Sequence, residues 1–282
     1  MNAQDIEIIS KNVKDKGVFN VQTFFDQNQL SEVEKILTRE LSSKDRVVFP
    51  IKASQNFIKF LKLDFSKLIN SRALLKIANI LNLEGIAKNI LNSPSELYMM
   101  DTYRSKRSKE MIIPWHNDIG LKNDDEESKK KYYQTAKATI LNKNTKVPAR
   151  GIKFFIYMTD TESNNGALGV LPYSQHIVKA LTKLIIEKKV NVSLYWNLKN
   201  LRDIILQDSV RPLIENLVGK VKLDKFIKFS EFIKHSQDTF EFDSKMKKGG
   251  AVIFDEMCVH RGSKPTKNDR VILRYLYKKK IN

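Results

Sequence analysis

Gly250-Ala-Val-Ile-Phe-Asp-Glu-Met-Cys-Val-His-Arg-Gly-Ser-Lys-Pro-Thr-Lys-Asn-Asp-Arg270, continued by Val-Ile-Leu-Arg-Tyr-Leu-Tyr277, has the pattern of a strand, a turn carrying His260, a polar loop, and a second strand that opens with Arg270. Far upstream, Pro114-Trp-His-Asn-Asp118 supplies a second histidine and a carboxylate. Residues two apart on a strand point to one side, so His116 and Asp118 are expected to converge. Together with His260 they form a 2-His-1-carboxylate set, which leaves coordination positions open on a non-haem Fe(II).

Working outward, the segment just before Asp118 carries strand patterns at Ser95-Glu-Leu-Tyr-Met-Met-Asp-Thr-Tyr103 and Met111-Ile-Ile-Pro-Trp-His116. After it come Gly151-Ile-Lys-Phe-Phe-Ile-Tyr-Met-Thr159 and Gly166-Ala-Leu-Gly-Val-Leu171, joined by a turn over Asp160 to Asn165. Before all of these, Gly17 to Phe25 reads as a strand. Leu30, Val33, Ile36, Leu37 and Leu41 then follow helical spacing, with Ser31 or Asp26 as the candidate cap. Apolar positions at three- and four-residue intervals from Phe57 to Leu81 predict two or three helices on the outside of a sheet. Residues 123–146 are polar and rich in both acidic residues and lysines, the composition of a flap beside a site. Residues 177–237 return to helical period between two strands, which makes them a helical insertion in a mainly β, α+β fold. The insertion is expected to close one mouth of the fold and shape a substrate pocket, with a dimer contact as the alternative.

These motifs resemble the phytanoyl-CoA dioxygenase family of Fe(II)/2-oxoglutarate oxygenases. The likeness rests on His116-x-Asp118, His260, Arg270 ten residues on, Arg261-Gly-Ser263, and Asn164-Asn-Gly-Ala-Leu-Gly-Val-Leu-Pro-Tyr-Ser-Gln-His176. The resemblance implies a double-stranded β-helix core, of jelly-roll or cupin type, within one domain spanning residues 1–282. It implies His116, Asp118 and His260 as metal ligands, and Fe(II), 2-oxoglutarate and O2 as cofactor and co-substrates. Arg270 would bind the distal carboxylate of 2-oxoglutarate, where a planar guanidinium fork suits better than a lysine; Arg274, on the same face, is the second candidate. Tyr98, Phe155 and Ser263 occupy places where relatives line the co-substrate pocket. The carboxylate of Asp118 separates this chain from related halogenases and favours hydroxylation, or another two-electron oxidation, with succinate and CO2 as co-products. The added residue before His176 breaks the family's usual pattern, so His176 stays open between a pocket residue and a polar strand end. His235 reads as a surface residue.

Composition narrows the partners. The formal charge of +18, from 50 Lys and Arg against 32 Asp and Glu, is compatible with polyanions. The lysines are spread along the chain without a basic-aromatic stacking platform, which weighs against nucleic acid and for a small-molecule substrate. A polyanion-modifying enzyme of the same chemistry and a non-catalytic jelly-roll binding module are the competing readings; the second would require a lost ligand. No apolar run approaches the roughly 20 residues that span a bilayer, and the N-terminal residues lack a signal pattern, so no membrane association and a cytoplasmic location are expected. The lone Cys258 excludes an intrachain disulfide and reads as a small core residue in a strand. Oligomeric state is left open.

Overall fold

A computed structural model describes residues 2–40, 71–105, 107, 113–119, 121–122, 140–141, 150–192, 195–234, 241–263 and 265–280. In chain order these form α1 (Ala3–Lys16), β1 (Val18–Val21), α2 (Gln27–Glu40), α3 (Ser71–Ile80), α4 (Leu83–Leu91), β2 (Ser95–Ser105), β3 (Ile113–His116), β4 (Leu121–Lys122), β5 (Ile140–Leu141), β6 (Gly151–Tyr157) and β7 (Leu168–Val170). There follow α5 (Ser174–Ile186), α6 (Leu198–Ile205), α7 (Arg211–Val218), α8 (Lys220–Lys234), β8 (Asp243–Ser244), β9 (Ala251–Asp255), β10 (His260–Gly262) and β11 (Arg270–Lys279). The expected helix around Phe57, Phe60 and Leu61, most of the polar flap, and His235 lie outside the described residues.

Two antiparallel sheets face each other. The larger has the order β1-β9-β6-β11-β2 and the smaller β3-β10-β7-β8, the arrangement of a jelly roll; β4 and β5 form a separate parallel pair. Side-chain alternation sorts the large sheet into two faces. On β6, Ile152, Phe154 and Ile156 point outward to α1–α4, in one cluster with Val13, Val33, Leu74, Ile77 and Ile86. Phe155 and Tyr157 point inward and meet Leu168 and Val170 of β7 and Val252 and Phe254 of β9. Because both faces are covered, β6 is buried at every position and reads as a continuous apolar run interrupted only by Lys153. The small sheet is backed by the helical insertion: Trp115, Leu171 and Val259 pack with Ile177, Leu181, Leu201, Ile205, Ile214 and Phe226. Each such Leu, Ile or Phe stabilises the fold by about 1.5–3 kcal/mol through burial, so sheet strands of two to four residues persist because helices cover their backs.

The structure extends or corrects several expectations. Helix α1, not foreseen, carries Ile9 and Val13 on one buried face and closes its start with reciprocal Asn2–Asp5 hydrogen bonds. Asp26, rather than Ser31, caps α2, its Oδ1 accepting from the Gln29 N–H at 2.8 Å. Helix α5 begins at Ser174, before the expected Ile177, so His176 lies in a first helical turn and not at a strand end. Its Nε2 is 2.8 Å from the Asp15 carbonyl, away from the other histidines, and burial holds its pKa below the usual imidazole range. Helix α7 adds a segment whose apolar pattern is short and starts with Arg211-Pro212. Cys258 sits in the turn after β9 rather than in a strand; it is buried, bonded to the Gly17 carbonyl at 3.3 Å, and burial pushes its thiol pKa up. None of the described helices is long and apolar enough to cross a membrane.

Gly17 ties the N-terminal helix to the strand leading into His260. It ends α1 at φ 87°, and its carbonyl accepts the Asp255 N–H at 2.8 Å. A Cβ there would stand 2.4 Å from Gln175 Oε1 and 2.6 Å from Cys258 Sγ. Gly17→Ala is therefore expected to lower stability by about 2 kcal/mol or more, combining left-handed strain with steric displacement of two side chains, read as a lower urea midpoint at unchanged m-value.

Candidate metal centre

Sheet register brings the histidines together. β10 runs between β3 and β7, and His260 stands directly opposite His116 on one side and Val170 on the other. The two imidazole centroids are 4.4 Å apart. Asp118 lies just past the end of β3, in a bend fixed by Asn117, whose Oδ1 accepts the Ile119 N–H at 2.9 Å. Convergence therefore comes from a strand end plus an Asx turn, not from an uninterrupted strand. His116, Asp118 and His260 each offer one ligand atom, all within 4.8 Å of one another, and this is the one such cluster among the described residues. All three are at most 5% exposed.

The imidazoles are oriented for ligation. His116 Nδ1 lies 2.7 Å from the Pro114 carbonyl, and His260 Nδ1 lies 2.9 Å from the Cys258 carbonyl. A carbonyl can only accept, so these contacts place a proton on each Nδ1, and the Nε2 atoms lie 3.6 Å from Asp118 Oδ1 for His116 and 3.8 Å from Asp118 Oδ2 for His260. Asp118 Oδ1 is buried with no hydrogen-bond partner. A carboxylate with one unpartnered oxygen beside two imidazole nitrogens is an arrangement that a divalent cation completes, and two nitrogens with one oxygen and no thiolate suit iron better than structural zinc.

Lys153 is the group sequence reasoning missed. It sits on β6 two residues from Phe155, is 5% exposed, and its ammonium forms a salt bridge with Asp118 Oδ2. Burial draws its pKa down to about 8; Arg274 and Lys278 act in the same direction, while Glu256 and Asp101 oppose. Strand parity was the available signal, since Lys153 shares the inward face of Phe155.

The remaining candidates divide. Arg270 is buried; it donates to the Gly166 carbonyl at 2.8 Å and to Ser105 Oγ at 3.1 Å, reaching across from the large sheet to the start of β7. Arg274, four residues on, is held in a two-bond salt bridge by Asp101 with its guanidinium 5.7 Å from the Phe155 ring centroid. Phe155 packs against Phe254 at 5.3 Å, and Phe254 packs against His260 at 5.3 Å, so Phe155 belongs to the wall beside the ligands. Ser263 is buried with its Oγ 3.5 Å from Asp243, which also binds the fully buried Arg261 at 2.6 Å; burial raises the Asp243 pKa against the pull of Arg261. Tyr98 is 52% exposed and lies under Lys278, 4.3 Å from Nζ to ring centroid; the structure brings it to that edge pair and not to the ligands.

The insertion also reaches the centre. Asn117 donates its backbone N–H to the Trp196 carbonyl at 2.8 Å and its side-chain amide to the Tyr195 carbonyl at 2.7 Å, and Asn197 bridges to His116. The Trp196 ring stands 5.5 Å from that of His116. The insertion, expected to close one mouth of the fold and shape a substrate pocket, also braces the strand that carries His116.

No family model matches the sequence, and no curated protein matches it. Solved structures do share the fold. The epimerase SnoN in complex with Fe3+, alpha ketoglutarate and nogalamycin RO superposes with a TM-score of 0.54 at 9% identity, over 99% of this chain and 85% of that one. The non-heme alpha ketoglutarate dependent carbocyclase SnoK from nogalamycin biosynthesis gives 0.52 at 12% identity, over 99% and 84%. EvdO2 from Micromonospora carbonacea var. aurantiaca, complexed with 2-oxoglutarate, gives 0.51 at 12% identity, over 99% and 91%.

Proposed function

We propose that the chain is an Fe(II)- and 2-oxoglutarate-dependent dioxygenase of the phytanoyl-CoA dioxygenase type that hydroxylates a small molecule, with succinate and CO2 as co-products. The observation that carries this reading is the convergence of His116, His260 and Asp118, each buried and each offering one ligand atom within 4.8 Å of the others, between two sheets. The jelly-roll fold shared with enzymes crystallised with iron or 2-oxoglutarate supports it. When bound, iron supplies the activation of O2 coupled to oxidative decarboxylation of the keto acid.

The chain's own residues divide the remaining work. His116, Asp118 and His260 would hold the iron, and three protein ligands would leave it positions for the keto acid and O2. Arg270 clamps the distal carboxylate of 2-oxoglutarate: it is buried on the inner face of β11, and the Gly166 carbonyl and Ser105 hydroxyl fix its fork. Arg274 is committed to Asp101, which sets it apart as a structural cation. Phe155 and Phe254 exclude water beside the ligands, and Ser263 supports the site through Asp243. Among neighbours of the same fold are an epimerase and a carbocyclase, so the fate of the oxidised C–H bond is assigned here from Asp118 alone, whose presence favours hydroxylation.

Anaerobic loading with Fe(II), followed by measurement of CO2 released from 2-oxoglutarate, tests the reading. His116→Ala, Asp118→Ala and His260→Ala are each expected to reduce release by more than about 100-fold while the folded state survives, because one of only three protein ligands is gone. Wild-type turnover in any of them removes that residue from the ligand set. Titration of 2-oxoglutarate separates the arginines. Arg270→Lys is expected to raise the half-saturating concentration about 10-fold, the loss of one charge-assisted hydrogen bond, whereas Arg274→Lys leaves it within about 2-fold. The opposite pattern transfers the clamp to Arg274.

A further inference from the structure

The inner face of the large sheet carries buried or half-buried cations matched to carboxylates. Arg274 pairs with Asp101, Lys278 lies 3.2 Å from Glu256, and Lys153 pairs with Asp118. The first two pairs join strand β11 to neighbouring segments of its own sheet. The third crosses the cavity to a residue with a second duty, since Asp118 is also the carboxylate facing the two imidazoles. Lys153 Nζ is 5.8 Å from the Phe254 ring centroid, and that ring packs on His260, so the ammonium is walled in at the centre. A protein interior tolerates a buried carboxylate poorly unless a cation stands beside it, and the ammonium of Lys153 is that cation.

We propose that Lys153 is a positioning residue for the metal centre: its ammonium holds Asp118 Oδ2, keeps Oδ1 turned toward His116 Nε2, and supplies a buried positive charge beside the three candidate ligands. This rests on the metal-centre part of the function proposed above, not on the identity of the co-substrate. Two physical consequences follow. Asp118 is restricted to ligation through one oxygen, because the other is already engaged. A dication entering the site also meets the field of the ammonium, so the three ligands bind metal less tightly than they would without it.

The test uses the full-length metal-free protein, Mn(II) as probe, calorimetric titration for affinity and thermal unfolding with and without Mn(II). Wild type is expected to bind Mn(II), and His260→Ala to lose that binding; if wild type does not bind, the metal-centre reading itself falls and the proposal with it. With that control passed, Lys153→Met is expected to unfold at a lower temperature when metal-free, to bind Mn(II) about 10-fold more tightly, and to gain more in unfolding temperature from Mn(II) than wild type does, while Lys153→Arg keeps wild-type affinity within about 3-fold. A purely packing role would lower stability without tightening metal binding. Unchanged or weaker Mn(II) affinity in Lys153→Met overturns the proposal while leaving the metal centre intact. Should Lys153→Met not fold alone, the double variant Lys153→Met with Asp118→Asn decides: recovery of folding supports the counter-charge role, and failure to recover overturns it.

Discussion

Everything near the centre depends on β10, three residues long and hydrogen-bonded on both sides. Its pairing with β3 sets His260 against His116, and its pairing with β7 fixes how deep both imidazoles stand between the sheets. A one-residue slip would turn His260 outward and put Arg261 in its place. Arg261 guards against that slip from the other face. It is fully buried against the Trp115 ring at 5.2 Å and bonded to Asp243, contacts that exist in one register only. Gly169, across from Arg261, makes the approach feasible, since a Cβ there would come within 2.8 Å of the Trp115 ring.

Much of this was legible in the sequence because the ligands sit on elements with strong local signals. The strand pattern before His260 and the opening Arg270 predict β9 and β11 with little displacement, whereas His260, expected in a turn, opens the short strand β10; His116-x-Asp118 marks the opposite wall. The long alternating strands and the helices with apolar stripes were read for the same reason: burial on a fixed period leaves a trace in the residues. What was not legible has no such trace. Strand parity puts Lys153 on the inward face with Phe155, but only the position of Asp118 across the cavity, a contact between residues 35 apart, gives it a role. The backbone bonds from Asn117 to Tyr195 and Trp196 use carbonyls that every residue possesses, so no residue type announces them. The family resemblance identified Tyr98 by its place on β2, but a bulge in the β11–β2 register at Leu276/Tyr277 lies beside it, and the side chain is half exposed at the sheet edge.

The two helical layers have different relations to the chemistry. Helices α1–α4 touch the centre only through the back of the large sheet, so their packing sets its rigidity. The insertion contributes a peptide segment directly against the ligand strand, which couples helix packing over α5–α8 to the orientation of Asn117 and thereby of Asp118. Outer-layer hydrogen bonds of this kind hold ligands in place as much as the ligands' own rotamers do.

Strand order has a consequence for synthesis. β10 is an inner strand of the small sheet and β11 an inner strand of the large one, yet both lie within the last 23 residues of the given sequence, from His260 to Asn282. While a ribosome is still adding them, β6 and β7 each lack a partner on one side, and β2 and β3 each lack the one strand they pair with among the described residues, so the emerging chain carries open strand edges flanked by apolar faces. Such edges invite pairing with other chains. The stretch from His260 to Lys279 thus closes two sheets at once, and chains terminated before it are expected to be clients of chaperones rather than partly folded, stable intermediates.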